Sequence, residues 1–291
     1  MERCKRYRIT IGDVQFGPVV THRGITFNFT EGTVTLKEEF VKKFELRCYN
    51  SISTWAEIRS LFSMGLYGMQ VHNIHYCEVF NILRFLARNW NTPPKVVLAL
   101  PSEVKKEWEE MKSLILSRTA SSPVDISPTG PVIITDASLD GSGARIGAIL
   151  VTRKSQLFFI SEEVPLREKW RIAHYEAWAL LRALEAWSVV TSNAMITILI
   201  DNTAVLGALN KGFSPNFLLN FLVKRIVRIV QRRRSQVWLW YVPSKLNPAD
   251  PLTRDFQFTD EHRHVLAMVS RDVAASVGVE EYRARGYLYL E

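Results

Sequence analysis

The sequence predicts an α/β fold, a mixed five-stranded sheet with flanking helices, preceded by a smaller α+β region. Three observations predict it. Between Pro131 and Arg254 the apolar segments run β-β-β-α-β-α-α-β, which joins an antiparallel meander to strands reached through helical crossovers. Upstream, residues 7–118 have another rhythm, with short strands first and helices afterwards. Between the two, Thr119-Ala-Ser-Ser-Pro and Ser127-Pro-Thr-Gly-Pro form a turn-rich linker. The expected regions are therefore 1–126, 127–254 and a tail, 255–291, that is expected to be helical.

Taken in order, Tyr-Arg-Ile-Thr-Ile, Phe-Gly-Pro-Val-Val and Gly24-Ile-Thr-Phe-Asn-Phe read as two or three antiparallel strands, separated by glycine-containing turns. A helix follows, with Leu36, Phe40 and Phe44 at helical spacing and Thr35 with Glu38 as a capping box. Ser53-Thr-Trp-Ala-Glu57 opens a second helix, whose face is Trp55, Ile58, Leu61 and Phe62. A third covers roughly residues 75–90 with Val79, Phe80, Leu83 and Leu86. It stops at Asn91-Thr-Pro-Pro, because two prolines forbid continuation. A fourth presents Val104, Trp108, Met111 and Ile115.

Beyond the linker, residues 132–138, 144–151 and 156–161 read as strands and 168–190 as a long helix rich in good helix formers. The continuous apolar run 194–201 suits a buried central strand. Helices over 203–211 and about 215–234 precede a last strand, 236–242, on which Trp238 and Trp240 share parity and are expected in the core.

The 291 residues carry 37 Lys+Arg against 29 Asp+Glu, a net charge of +8, with 47% hydrophobic content. This is a globular composition whose basic excess favours a polyanionic partner. Cys4, Cys48 and Cys77 are too sparse and odd in number for a disulfide framework, and His72, His75 and Cys77 lack the paired spacings of a zinc site. No run of 18 apolar residues occurs, and the basic N-terminus is not a signal peptide. The expectation is a soluble intracellular protein of cytoplasm or nucleus, with no membrane partner.

Four acidic residues stand at the edges of strongly apolar elements, where a charge is costly without a use. Asp136 ends the first strand of the second region, Glu176 lies early in the long helix, Asp201 ends the fourth strand and Asp250 follows Asn247-Pro-Ala. Parallel pairing of the first and fourth strands brings two of these acids to one sheet edge. Crowded carboxylates repel unless cations neutralise them. Mg²⁺ suits such oxygen ligands, and two ions about 3.5–4 Å apart can drive phosphodiester hydrolysis. Asp140 and Asp255 are read as turn and loop residues.

The motifs Ile-Thr-Asp136-Ala-Ser, His-Tyr-Glu176-Ala, Ile-Asp201-Asn-Thr-Ala and Val-Pro-Ser-Lys-Leu-Asn-Pro-Ala-Asp250-Pro-Leu-Thr-Arg closely resemble the ribonuclease H domain of retroelement reverse transcriptases. The resemblance implies a ribonuclease H-like fold and a two-metal cut of the RNA strand in RNA–DNA hybrids. Two Mg²⁺ ions, with Mn²⁺ as substitute, would sit on Asp136, Glu176, Asp201 and Asp250. Residues 7–118 resemble, less specifically, the closing palm strands, thumb and connection of a reverse transcriptase. The Asn-Pro-Ala-Asp-Pro-Leu-Thr-Arg ending is similar to DIRS- and VIPER-type elements. The implied whole is the C-terminal part of a retroelement polyprotein, with the upstream polymerase region as partner. The chain departs from the pattern twice. No Asp-Asp pair is present, so no polymerase activity is expected from this chain alone. No histidine lies between His174 and His262, where many ribonucleases H carry one before the last aspartate. That departure supports the alternative, a catalytically silent remnant that binds nucleic acid.

For substrate, the amphipathic helix around residues 221–234 turns Phe221, Leu222, Ile226, Ile229 and Val230 inward. Lys224, Arg225, Arg228, Arg232, Arg233 and Arg234 are the expected phosphate contacts. Ser138 and Asn202 are expected to meet sugar or phosphate beside the metals. A hybrid would be recognised by backbone shape and 2′-hydroxyls.

Overall fold

The computed structural model describes residues 18–22, 25–31, 33–49, 54–72, 74–117, 130–141, 143–254 and 257–277. The Tyr7–Ile11 strand and the linker fall outside them. The chain divides into two compact units, one of residues 1–74 and 81–123, the other of 75–80 and 124–291.

In the first unit, strands β1 (Val19–His22), β2 (Ile25–Asn28) and β3 (Thr33–Leu36) form an antiparallel sheet in sequence order. Helices α1 (Glu38–Tyr49), α2 (Trp55–Val71), α3 (Phe80–Arg88) and α4 (Ser102–Ser117) follow, α3 beginning on the last residue of the second unit's segment. The expected faces of α2 and α4 are buried, with Trp55, Ile58, Leu61 and Phe62 on one and Val104, Trp108, Met111 and Ile115 on the other. Aromatic rings knit them together, Phe62 and Phe44 both packing on Trp108. The capping box lies at Thr54 and Glu57. It does not lie at Thr35 and Glu38, because Thr35 is paired with Thr26 inside β3 and α1 starts after Lys37. The expected helix over 75–90 is a 3-10 turn, Tyr76–Val79, running into the shorter α3.

The second unit is built on a five-stranded sheet of β4 (Val132–Leu139), β5 (Ala144–Val151), β6 (Leu157–Val164), β7 (Met195–Ile200) and β8 (Gln236–Tyr241). Its order is β6-β5-β4-β7-β8, with β4, β5 and β6 antiparallel and β7 and β8 parallel to β4. This is the ribonuclease H-like arrangement. The flanking helices are α5 (Ile172–Ala186), α6 (Thr203–Lys211), α7 (Phe217–Arg232), the single turn α8 (Asp250–Thr253) and α9 (Asp260–Val277). Helix α5 is shorter than its sequence pattern. The Thr191 and Ser192 hydroxyls bond back to the carbonyls of Trp187 and Ser188, and such bonds compete with helix continuation.

One sheet face packs Ile133, Ile196, Ile198 and Ile200 against Leu180, Leu181 and Leu184 of α5, Val205 of α6 and Leu222, Val223 and Ile226 of α7. Each such side chain, fully buried, contributes about 1.5–3 kcal/mol. The opposite face packs Val132, Ile134, Ile149, Val151 and Leu157 against Leu252 and Leu266, from α8 and α9. Trp238 and Trp240 are not in the core; they are 54% and 59% exposed. Val237 and Leu239 take the inward parity of β8, so the tryptophans fall on the other face, where the apolar cluster beneath α8 and α9 draws its described strand residues from β4–β7 and none from β8.

Candidate active site

Asp136 and Asp201 reach one edge of the sheet because β4 and β7 are parallel neighbours, Ile134 pairing with Leu199. Asp136 does not end its strand as expected; it is the fifth of the eight residues of β4, since Ala137–Leu139 still pair with β5, whereas Asp201 follows Ile200 at the end of β7. Glu176 comes from the second turn of α5. Each of the three offers a carboxylate oxygen, and these oxygens all lie within 4.8 Å of one another.

Asp136 and Glu176 are only 3% and 4% exposed. Burial first, then the charges of Asp201 and Asp250, lift the Asp136 carboxyl to about 7 against an opposing Thr253 hydrogen bond. Burial and the charges of Asp136 and Asp201 lift Glu176 to about 10, against a hydrogen bond from the Ala137 backbone N–H. The three therefore do not all ionise together at neutral pH without a counter-charge. Glu176 Oε2 and Asp201 Oδ1 are buried and have no hydrogen-bond partner. Unsatisfied carboxylate oxygens aimed into an acidic cluster are the donor set of a hard divalent cation. The residues fit the metal that the sequence motifs imply.

Asp250 is the first residue of α8, and its Oδ1 accepts from Arg254 Nε at 2.8 Å. Its charge acts on both Asp136 and Glu176, but it stands outside the three-carboxylate group. Beside the cluster, a cleft of about 930 Å³ is lined by Ser138, Arg145, Glu163, Leu166, Thr253 and Arg254, among others.

Of the other expected residues, Ser138, Asn202, Lys224, Arg225, Arg228 and Arg233 are engaged within the chain. Ser138 Oγ donates to the Thr253 carbonyl at 2.8 Å. Asn202 caps α6, its Oδ1 accepting from Ala204 N at 3.0 Å and Val205 N at 3.2 Å. Arg228 grips Glu78 through Nε at 2.8 Å and Nη2 at 2.6 Å, and Lys224 Nζ lies 2.9 Å from the same carboxylate. Burial opposes the Glu78 charge, but those two cations together hold its pKa below the usual carboxylate value. Arg225 pairs with Glu185 at 2.9 Å, and Arg233 donates to the Leu184 carbonyl and to Thr191 Oγ1. Arg232 and Arg234 are exposed. Of the six cations expected to meet phosphate, four thus hold the fold.

Three residues that the sequence reading passed over shape the site. Asn247 is fully buried, its Nδ2 donating to the Thr135 carbonyl at 3.0 Å and lying 3.5 Å from Asp136 Oδ1. Thr253 Oγ1 lies 2.6 Å from Asp136 Oδ2. Gly147, opposite Asp136 on β5, has no room for a side chain; a Cβ there would come within 2.9 Å of Ala249 O, Leu252 Cβ and Thr253 Cγ2. A glycine inside a strand pattern is the one sequence signal of that close approach.

No protein-family model matches the sequence, and no functionally curated protein does. Solved structures are similar to it. A ribonuclease H1 of the halophilic archaeon Halobacterium salinarum is 18% identical, covering 42% of this chain and 89% of its own, with a TM-score of 0.35. LC11-RNase H1, a compost metagenome enzyme solved with an RNA/DNA hybrid, is 19% identical over 42% of this chain and 92% of its own, with a TM-score of 0.38. A foamy viral protease–reverse transcriptase, solved with double-stranded DNA, is 13% identical over 77% of this chain and 38% of its own, with a TM-score of 0.28. The second unit has a ribonuclease H-like fold by the order and direction of its strands.

Proposed function

We propose that the chain is a metal-dependent endonuclease that hydrolyses the RNA strand of RNA–DNA hybrids. It would be the C-terminal part of a retroelement reverse transcriptase of DIRS or VIPER type. The observation that carries this reading is the convergence of Asp136, Glu176 and Asp201, with two buried carboxylate oxygens left without partners. Asp136, Glu176 and Asp201 would hold Mg²⁺ or Mn²⁺, and Asp250 would join them on leaving Arg254. Two cations held by these carboxylates would supply water activation and leaving-oxygen stabilisation for phosphodiester hydrolysis. Ala137 N–H and Thr253 fix the carboxylates, and Ser138, Arg145 and Arg254 border the cleft that would receive the strand. In this reading the region up to residue 126 supplies the thumb- and connection-like part, residues 127–254 the nuclease, and the polymerase region lies upstream.

The specific observation behind the second reading, a silent domain that binds nucleic acid, is the lack of a histidine between His174 and His262. One assay separates the two. The protein is incubated with Mg²⁺ or Mn²⁺ and labelled hybrid, single-stranded RNA or duplex DNA, beside Asp136→Asn and Asp201→Asn. Selective hybrid cleavage lost by at least about 100-fold in both variants is expected, the scale on which an essential electrostatic group acts. Hybrid binding with no cleavage above the variants would leave the silent domain; equal cutting of duplex DNA would mean a different nuclease on the same fold.

A further inference from the structure

The segment between β8 and Arg254 is fastened to three strands. Asn247 bonds to the Thr135 carbonyl of β4, Ser138 of β4 to the Thr253 carbonyl, and Ser161 of β6 to the Leu252 carbonyl at 2.7 Å. On β5, the bare Cα of Gly147 lets Ala249, Leu252 and Thr253 settle against the sheet. Thr253, 4% exposed, is therefore held at its backbone, and its methyl carbon is the atom seated over Gly147. A β-branched side chain has few χ1 choices, so seating the methyl aims the hydroxyl. It points to Asp136 Oδ2, 2.6 Å away, with the Asp250 carbonyl 2.9 Å off as the second acceptor. A hydroxyl carries one proton, and a carboxylate is the stronger of these acceptors.

We propose that Thr253 is a positioning residue for the metal site, its hydroxyl holding Asp136 in the orientation that binds a cation. This rests on the reading of the cluster as a metal centre. The fixed hydroxyl occupies one oxygen of Asp136 and stops the carboxylate from rotating, so the cluster is set before any ion arrives.

The test is Mn²⁺ titration of the full chain by calorimetry, with thermal unfolding and hybrid cleavage measured on the same samples. Thr253→Val keeps the methyl and removes the hydroxyl; Thr253→Ser keeps the hydroxyl. Thr253→Val is expected to weaken Mn²⁺ binding about 10–100-fold, the usual effect of removing a group that orients a metal ligand, and Thr253→Ser to recover most of it. If Thr253→Val does not fold, Thr253→Ala takes its place against Thr253→Ser. Folded Thr253→Val with Mn²⁺ affinity within about 2-fold of the parent overturns the proposal, and so does Thr253→Ser failing as badly as Thr253→Val. Weakened Mn²⁺ binding in Thr253→Val, beside a parent chain that binds Mn²⁺ but cuts no hybrid, sustains Thr253 and removes only the nuclease reading. A parent chain without Mn²⁺ affinity overturns both.

Discussion

Glu176 holds a carboxyl whose second oxygen meets no donor, packed beside Asp136 and Asp201. Such a residue is retained at the expense of stability, and the sign of its pH dependence follows. Its folded pKa is raised from 4.5 to about 10, and that of Asp136 from 3.8 to about 7. The folded state keeps protons that the unfolded chain releases, so this contribution is full below about pH 4 and is lost as pH rises. Metal-free protein should therefore melt at a lower temperature at about pH 8 than at about pH 5, with EDTA present throughout. Millimolar Mg²⁺ should restore part of the loss at the higher pH, since a ligand of the native state stabilises it by mass action. Glu176→Gln should stabilise the metal-free chain at about pH 8 by about 1–3 kcal/mol and abolish most of the Mg²⁺ response. A variant with an unchanged melting curve and an intact Mg²⁺ response would show that Glu176 neither stores this repulsion nor holds the ion.

At the scale of elements, the site depends on how closely α8 lies on β5. Gly147→Val would push against Ala249, Leu252 and Thr253, and overpacking of this kind costs about 1–3 kcal/mol. The urea midpoint should fall, and Mn²⁺ affinity should fall with it because Thr253 loses its seat. Normal values for both would mean that the loop tolerates displacement. The strands themselves were legible from sequence, because apolar runs and their periods are local, and so was the acid at the end of β7; Asp136 lies inside β4, because Ala137, Ser138 and Leu139 go on pairing with β5. What holds Asp136 was not legible. Asn247 and Thr253 lie 111 and 117 residues away in the chain and carry no periodic signal. The same distance hid the partners of α7: Glu78 and Arg228 are 150 residues apart. Trp238 and Trp240 were misplaced because period two sets which residues share a face, while which face a helix covers is a tertiary matter.

Over the whole molecule, the net charge of +8 overstates the cations open to a polyanion on α7. The segment 75–80 packs in the second unit, with Cys77 buried in the same core as Leu222 and Val223 and Glu78 set against α7. There Glu78 takes up Lys224 and Arg228, while Glu185 takes up Arg225. A phosphate backbone would have to displace a carboxylate whose side chain is only 11% exposed. Nucleic-acid affinity should therefore rest on Arg232 and Arg234, the exposed cations at the end of α7. Each phosphate contact contributes about −0.9 to the slope of log affinity against log salt on duplex DNA. Fluorescence anisotropy with a labelled duplex across a salt series reads that slope. Arg232→Ala and Arg234→Ala should each weaken binding and flatten the slope by about 1, whereas Lys224→Ala and Arg228→Ala should leave it within about 0.3. The second pair should instead lower the melting temperature, since each leaves the part-buried Glu78 with a partner fewer; the loss is about 1 kcal/mol, because Arg228 is itself half-exposed. A slope that flattens in Lys224→Ala or Arg228→Ala would show that the duplex opens the Glu78 pairs, and would return those two residues to the binding surface.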